Sequence, residues 1–190
     1  MKTELETQQA FRSILQAMAN PGIIRRLGND GSIAASASLE LLAETLLDQD
    51  VTFCVLGDES ASELENRIYE LTKSPKTELS HADFIFVTGR ENNNRLLAAN
   101  RGLPEYPDWG ATIVFSVESL AEGSRDQYTV CLSGPGIPDA RYVRIRGLDP
   151  EALRHLKELN SRYPLGVDGI FADNKDCIVC IPRSSKISVR

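Results

Sequence analysis

The sequence predicts an α/β protein built on a mixed β-sheet flanked by helices. Three observations predict it. In the first half, amphipathic helical stretches alternate with short runs rich in β-branched and aromatic residues. In the second half, strand-like segments follow one another through turn-rich connections. One further helix then precedes a closing hairpin, so parallel and antiparallel pairing are both expected.

Thr7 to Ala19 places Phe11, Ile14, Leu15 and Met18 at spacings of three and four, which predicts a helix with those four on its apolar face. Asn20-Pro21-Gly22 ends it, because the residue before proline disfavours the α region and glycine accepts positive φ. Ser38 to Leu47 repeats the pattern through Leu39, Leu42, Leu46 and Leu47, with Ser38 as the expected N-cap. Val51 to Leu56 is too short for a helix and reads as a buried strand bounded by Gly57. Ser60 to Thr72 is helical again, with Leu64, Ile68 and Leu71 on one side, and Asp83 to Thr88 is a second buried strand closed by Gly89.

A short helix from Asn92 to Ala99 leads into Arg101 to Gly110, where Gly102, Pro104, Pro107 and Gly110 predict a loop. Gly110 to Val117, Tyr128 to Leu132 and Tyr142 to Ile145 read as strands, separated by turns at Glu122-Gly-Ser and at Ser133 to Asp139. Asp149 caps a helix to Leu159, with Pro150 at its first position. Val167 to Ala172 and Cys177 to Ile181 form the final hairpin through Asp173-Asn174-Lys175-Asp176. With no linker, repeat or low-complexity tract, the 190 residues are expected to form a single domain.

Composition narrows the function classes. A formal net charge of −6 lacks the cationic surplus that a phosphate backbone rewards, so general nucleic-acid binding is not expected. The polar, acidic start, MKTELETQQAFRSILQAMANPG, has no secretion-signal core, and no window approaches the roughly eighteen apolar residues of a membrane span. The four scattered cysteines do not form a disulfide framework. A cytoplasmic protein with free thiols is expected.

The sequence contains neither G-x-x-x-x-G-K-[ST] nor G-x-G-x-x-G after a strand, which disfavours a P-loop or ordinary dinucleotide-binding enzyme. His81 and His155 stand far apart in sequence, outside any metal-binding pattern. Cys177-Ile-Val-Cys180 has zinc or redox spacing, but it lies in a strand, where residues three apart face opposite ways; a structural role is expected and no metal. The lysines, at positions 2, 73, 76, 157, 175 and 186, lie on helical faces or in polar turns, so none is set up as a Schiff-base amine and no cofactor is expected.

Candidate anion or ligand contacts remain. Gly134 and Gly136 make a glycine turn after a strand, followed by Arg141, Arg144 and Arg146, and such a turn with guanidinium forks suits a phosphate. Arg144 and Arg146 also fit the wet side of a strand whose other side carries Val143 and Ile145. Arg183 follows the last strand, in position either to anchor an anion or to pair with a carboxylate, and Asp168 either orients a ligand or caps a turn.

Five stretches together resemble the PhnH family, the H subunit of the bacterial carbon–phosphorus lyase core complex: Phe11 to Gly22, Gly110 to Val114, Leu132 to Ile137, Tyr163 to Asp168 and Ile181 to Arg183. Their order and spacing span nearly the whole chain, whereas Asp58 to Lys76 and Asn92 to Trp109 carry no motif of the family. The resemblance implies a fold like that of pyridoxal-phosphate-dependent transferases without the cofactor lysine, and a homodimer assembled with the G, I and J subunits. It implies a need for the G, I and L subunits to couple a phosphonate to ATP, displacing adenine and leaving ribose 1-phosphonate 5-triphosphate. The base-displacing site belongs to the I subunit, so no catalytic residue carries over. Two alternatives stay open: a stand-alone pyridoxal-phosphate transferase, which would need one lysine as an internal aldimine, and a small-anion-binding regulatory module.

Overall fold

The computed structural model of the chain describes residues 4–28, 35–58, 60–89 and 93–189. Lys2 and Asn92 lie outside the described residues. The helices are α1 (Glu4–Ala19), α2 (Ala35–Leu46), α3 (Ala61–Thr72) and α4 (Pro150–Leu159). The first five strands are β1 (Arg25–Arg26), β2 (Phe53–Leu56), β3 (Phe84–Val87), β4 (Thr112–Ser116) and β5 (Ser119–Glu122). They are followed by β6 (Val130–Gly134), β7 (Ile137–Arg146), β8 (Asp168–Ala172), β9 (Cys177–Ile181) and β10 (Lys186–Val189).

The expectation of one mixed sheet is corrected to two sheets. The larger runs β1-β9-β8-β4-β3-β2, parallel from β2 through β3 and β4 to β8 and antiparallel at β9 and β1. The smaller, β10-β6-β7-β5, is antiparallel throughout. Strand alternation divides the apolar residues between two layers. Phe53, Phe86, Val114, Ile170, Ile178 and Cys180 face α1, α2 and α3. Ile85, Ile113, Phe115, Phe171, Val179 and Ile181 face α4 and the inner side of the small sheet, where Val130, Leu132, Val143, Ile145 and Ile187 point. The central strands are therefore apolar on both sides, whereas β7 keeps Arg144 and Arg146 exposed against buried Val143 and Ile145.

Several boundaries differ from the sequence reading for identifiable reasons. The segment 133–139 is no open loop: Gly134 pairs with Ile137, so β6 and β7 meet at a tight turn and β7 runs on through Pro138. Strands β1, β5 and β10 are four residues or fewer and take their order from pairing with neighbours, which local pattern does not encode. The stretch before Ala99 is a 3₁₀ turn, Asn93–Ala98. In α1 the buried residues are Ala10, Ile14 and Ala17, while Phe11 and Leu15 are exposed, so the packed face is rotated from the expected stripe toward small residues. Ser38 lies inside α2 rather than at its cap; its hydroxyl donates to the Asp176 carboxylate at 2.8 Å and ties the helix to the β8–β9 hairpin. Asp149 caps α4 as expected, accepting from the Glu151 N–H at 2.9 Å with Pro150 in the first turn.

Candidate functional site

The six candidate residues separate into three places. Asp168 and Arg183 form one unit. Residue 168 opens β8, and because β9 runs antiparallel to it, the residue that follows β9 returns to the same end of the sheet. Arg183 Nη2 donates to Asp168 Oδ2 at 2.6 Å and Nε donates to the same oxygen at 3.1 Å, while the Arg183 backbone N–H donates to Oδ1 at 2.8 Å. The guanidinium also donates to the carbonyls of Pro107 at 2.5 Å and Gly110 at 3.0 Å. Of its five N–H bonds, one on Nη1 remains uncommitted.

This unit braces the loop from Arg101 to Gly110. Asn100 supports it from the other side, its amide donating to the Trp109 carbonyl at 2.9 Å and its side-chain oxygen accepting from the Gly102 N–H at 2.9 Å. Leu103 and Tyr106 exchange backbone hydrogen bonds of 3.0 and 2.9 Å, and Pro107–Trp109 is a 3₁₀ turn. The neighbouring Tyr163 loop joins through the Gly166 N–H, which donates to the Arg101 carbonyl at 3.0 Å. Only glycine fits at 110, since a Cβ there would meet the Gly166 carbonyl and the Arg183 guanidinium. On top of the braced loop the rings of Tyr106 and Trp109 stack with centroids 4.3 Å apart and planes 9° from parallel.

Gly134 lies over the backbone of Ser184 and Ser185, so the glycine turn adjoins the segment after Arg183. Gly136 faces the end of α1, with Pro21 and the Ala19 carbonyl against its Cα. Arg144 and Arg146 stand elsewhere, on the outer face of the small sheet, where Arg144 Nε donates to the Glu122 carbonyl at 3.1 Å. They do not converge with Arg183.

A feature absent from the sequence reading is a cleft of about 680 Å³ at the carboxyl ends of β2, β3 and β4, lined by Leu39, Glu63, Arg67, Glu70, Gly89 and Ser116 among others. Carboxyl ends of parallel strands are where open α/β sheets place ligands. Its charged lining is mostly carboxylate, and Arg67 pairs with Glu40 at 3.4 Å. At its rim the Ser60 hydroxyl and N–H donate to Asp58, holding that carboxyl below the usual range. Gly57 and Gly89, each following a strand, were the signal in the sequence.

Three of the four free thiols are raised by their surroundings. Burial pushes the Cys54 thiol up to about 11 and raises Cys180 as well, both in the core, while burial and then Asp173 raise Cys177. Cys180 packs against the helices and the odd-numbered neighbours of Cys177 face the other layer, so the two sulfurs point to opposite sides of β9. His155 is buried in α4 and His81 is exposed. Lys73, Lys76, Lys157, Lys175 and Lys186 are all exposed.

A family model described as bacterial phosphonate metabolism protein (PhnH) matches residues 1–188. The chain belongs to the PhnH family. Among curated relatives, the putative C-P lyase subunit protein HtxG of Stutzerimonas stutzeri is 32% identical over 186 residues, 96% of this chain and 86% of the relative. The alpha-D-ribose 1-methylphosphonate 5-triphosphate synthase subunit PhnH of Rhizobium meliloti (strain 1021) is 28% identical over 186 residues, 96% of this chain and 90% of the relative. The PhnH match runs through both sheets and through the braced loop. Among the described residues no helix is long and apolar enough to cross a membrane.

Proposed function

We propose that this chain is a non-catalytic subunit of the carbon–phosphorus lyase core complex, acting in the cytoplasm as a single domain within an assembly containing the G, I and J subunits. In this reading the chain is needed with the G, I and L subunits to form ribose 1-phosphonate 5-triphosphate from ATP and a phosphonate. The observation that carries it is the family match across residues 1–188, together with two relatives of nearly equal extent that are each named as subunits. A homodimer and a fold like the pyridoxal-phosphate-dependent transferases without a cofactor lysine belong to the same proposal, and the exposure of all five described lysines is consistent with the second.

Within this reading the candidate contacts divide by role. Asp168 and Arg183 position the loop beside them, Gly134 adjoins Ser184 and Ser185 just after Arg183, and Gly136 packs instead against the end of α1. Arg144 and Arg146 are the exposed guanidinium pair left to meet an anion or an acidic partner. Co-expression with the G, I and J subunits tests the proposal: the chain is expected to co-elute with them on size exclusion, and omission of the chain is expected to abolish formation of the triphosphate product by G, I and L. Elution apart from those partners, or multiple turnovers of a phosphonate by the isolated chain, would overturn it.

A further inference from the structure

The braced loop displays what a folded chain ordinarily hides. Tyr106 and Trp109 are 50% and 53% exposed although stacked on each other, and Leu103, two positions beyond the Arg101 bridge to Gly110, is 49% exposed. Exposed aromatic residues on a mobile loop would be unremarkable, but this loop is held by the Arg183 guanidinium, by Asn100 and by its own turn bonds. A rigid tyrosine–tryptophan surface binds with little ordering cost, and these two residue types dominate the energetic centres of protein interfaces.

The charge around the rings selects the partner. Glu105 and Asp108 are exposed and immediately precede Tyr106 and Trp109 in sequence, so the segment that presents the rings carries two carboxylates. The outer ring faces carry the negative side of the aromatic quadrupole, which attracts a cation. A second copy of this chain is a poor match, because a two-fold interface centred here would bring Glu105 and Asp108 against their own equivalents.

We propose that the Tyr106–Trp109 platform is the surface on which another subunit of the phosphonate-processing assembly docks, by laying an arginine or lysine over the rings between Glu105 and Asp108. The proposal rests on the subunit reading above and adds the place and chemistry of the contact.

Trp109 is the only tryptophan of the chain, so the platform carries its own reporter. The chain labelled with 5-fluorotryptophan, mixed with unlabelled co-expressed partner subunits, is expected to show its single ¹⁹F resonance shift on assembly. Trp109→Ala and the double reversal Glu105→Lys/Asp108→Lys are expected to weaken assembly by about ten-fold or more. Both leave the far-ultraviolet circular dichroism unchanged, since these side chains are exposed. If the wild type and both variants assemble alike, with the ¹⁹F resonance unmoved, the docking proposal fails and the subunit reading stands. If the wild type itself does not assemble, both fall. Loss of a homodimer in Trp109→Ala, with heterologous assembly intact, would assign the platform to self-association and overturn the proposal.

Discussion

At the amino ends of β4 and β8 one guanidinium ties Asp168, Pro107 and Gly110 together, whereas at the carboxyl ends of β2, β3 and β4 the chain parts around an acid-lined cleft. The difference follows from strand direction. Because β9 is antiparallel, Arg183 is carried to the end of the sheet opposite to the one where parallel strands usually gather ligand groups. There it meets carbonyls and a carboxylate that need a donor, and it becomes a strut. The cleft end is tied more loosely: Arg67 of α3 pairs with Glu40 of α2 at 3.4 Å with its side chain about half exposed, and Ser60 bonds the nearby Asp58. One end is stiff and displays aromatic rings; the other is open and displays carboxylates.

The most severe way to break this contrast is Asp168→Ala. The side chains of Arg183 and Asp168 are 15% and 23% exposed, so removing the carboxylate leaves a largely buried guanidinium with carbonyl partners alone. A loss of about 2–4 kcal/mol in urea unfolding is expected, together with a change in Trp109 emission as the loop loosens. A loss under about 0.5 kcal/mol, the range of an ordinary surface change, would show that the brace carries no load.

Gly57→Ala probes the other end. A Cβ there would meet the Thr88 hydroxyl and lie 2.7 Å from the Thr88 carbonyl, so overpacking is expected to cost about 1–3 kcal/mol. Trp109 emission should not move, because the two ends are independent. Coupled changes at both ends would contradict that independence.

The smallest effect concerns Asp58. Its carboxyl is held below the ordinary carboxylate range chiefly by the Ser60 hydroxyl. A depressed folded-state value means that its contribution is present above the ordinary carboxylate range and lost as pH falls through the lowered value. Urea midpoints measured downward from about pH 5 should therefore fall slightly more steeply for the wild type than for Asp58→Asn. Identical slopes would remove Asp58 from the cleft's supports.

Much of the fold was legible because periodicity is a local property. The apolar runs of β2, β3 and β4, the Asp149-Pro150 helix start and the β8–β9 hairpin are read directly from residue order. Arg144 and Arg146 opposite Val143 and Ile145 followed from the two-residue period of a strand. Local order failed where a partner decides the outcome. Ser38 looks like a cap until Asp176, 138 residues away, takes its hydroxyl. The α1 stripe turned because Ala10 and Ala17 permit close approach to neighbours that the helix sequence does not contain.

By itself the sequence determined the alternation of helices and strands, the facing of Cys177 and Cys180 to opposite sides of one strand and the family, since each depends on residue types and their spacing. The tertiary structure alone decided that the strands divide into two sheets, that Arg183 and Asp168 meet, and that Tyr106 and Trp109 stack in the open. Those outcomes depend on strand direction and long-range pairing, which bring Arg183 to Pro107 and Gly110, 76 and 73 residues away, and are set by which buried polar groups find partners.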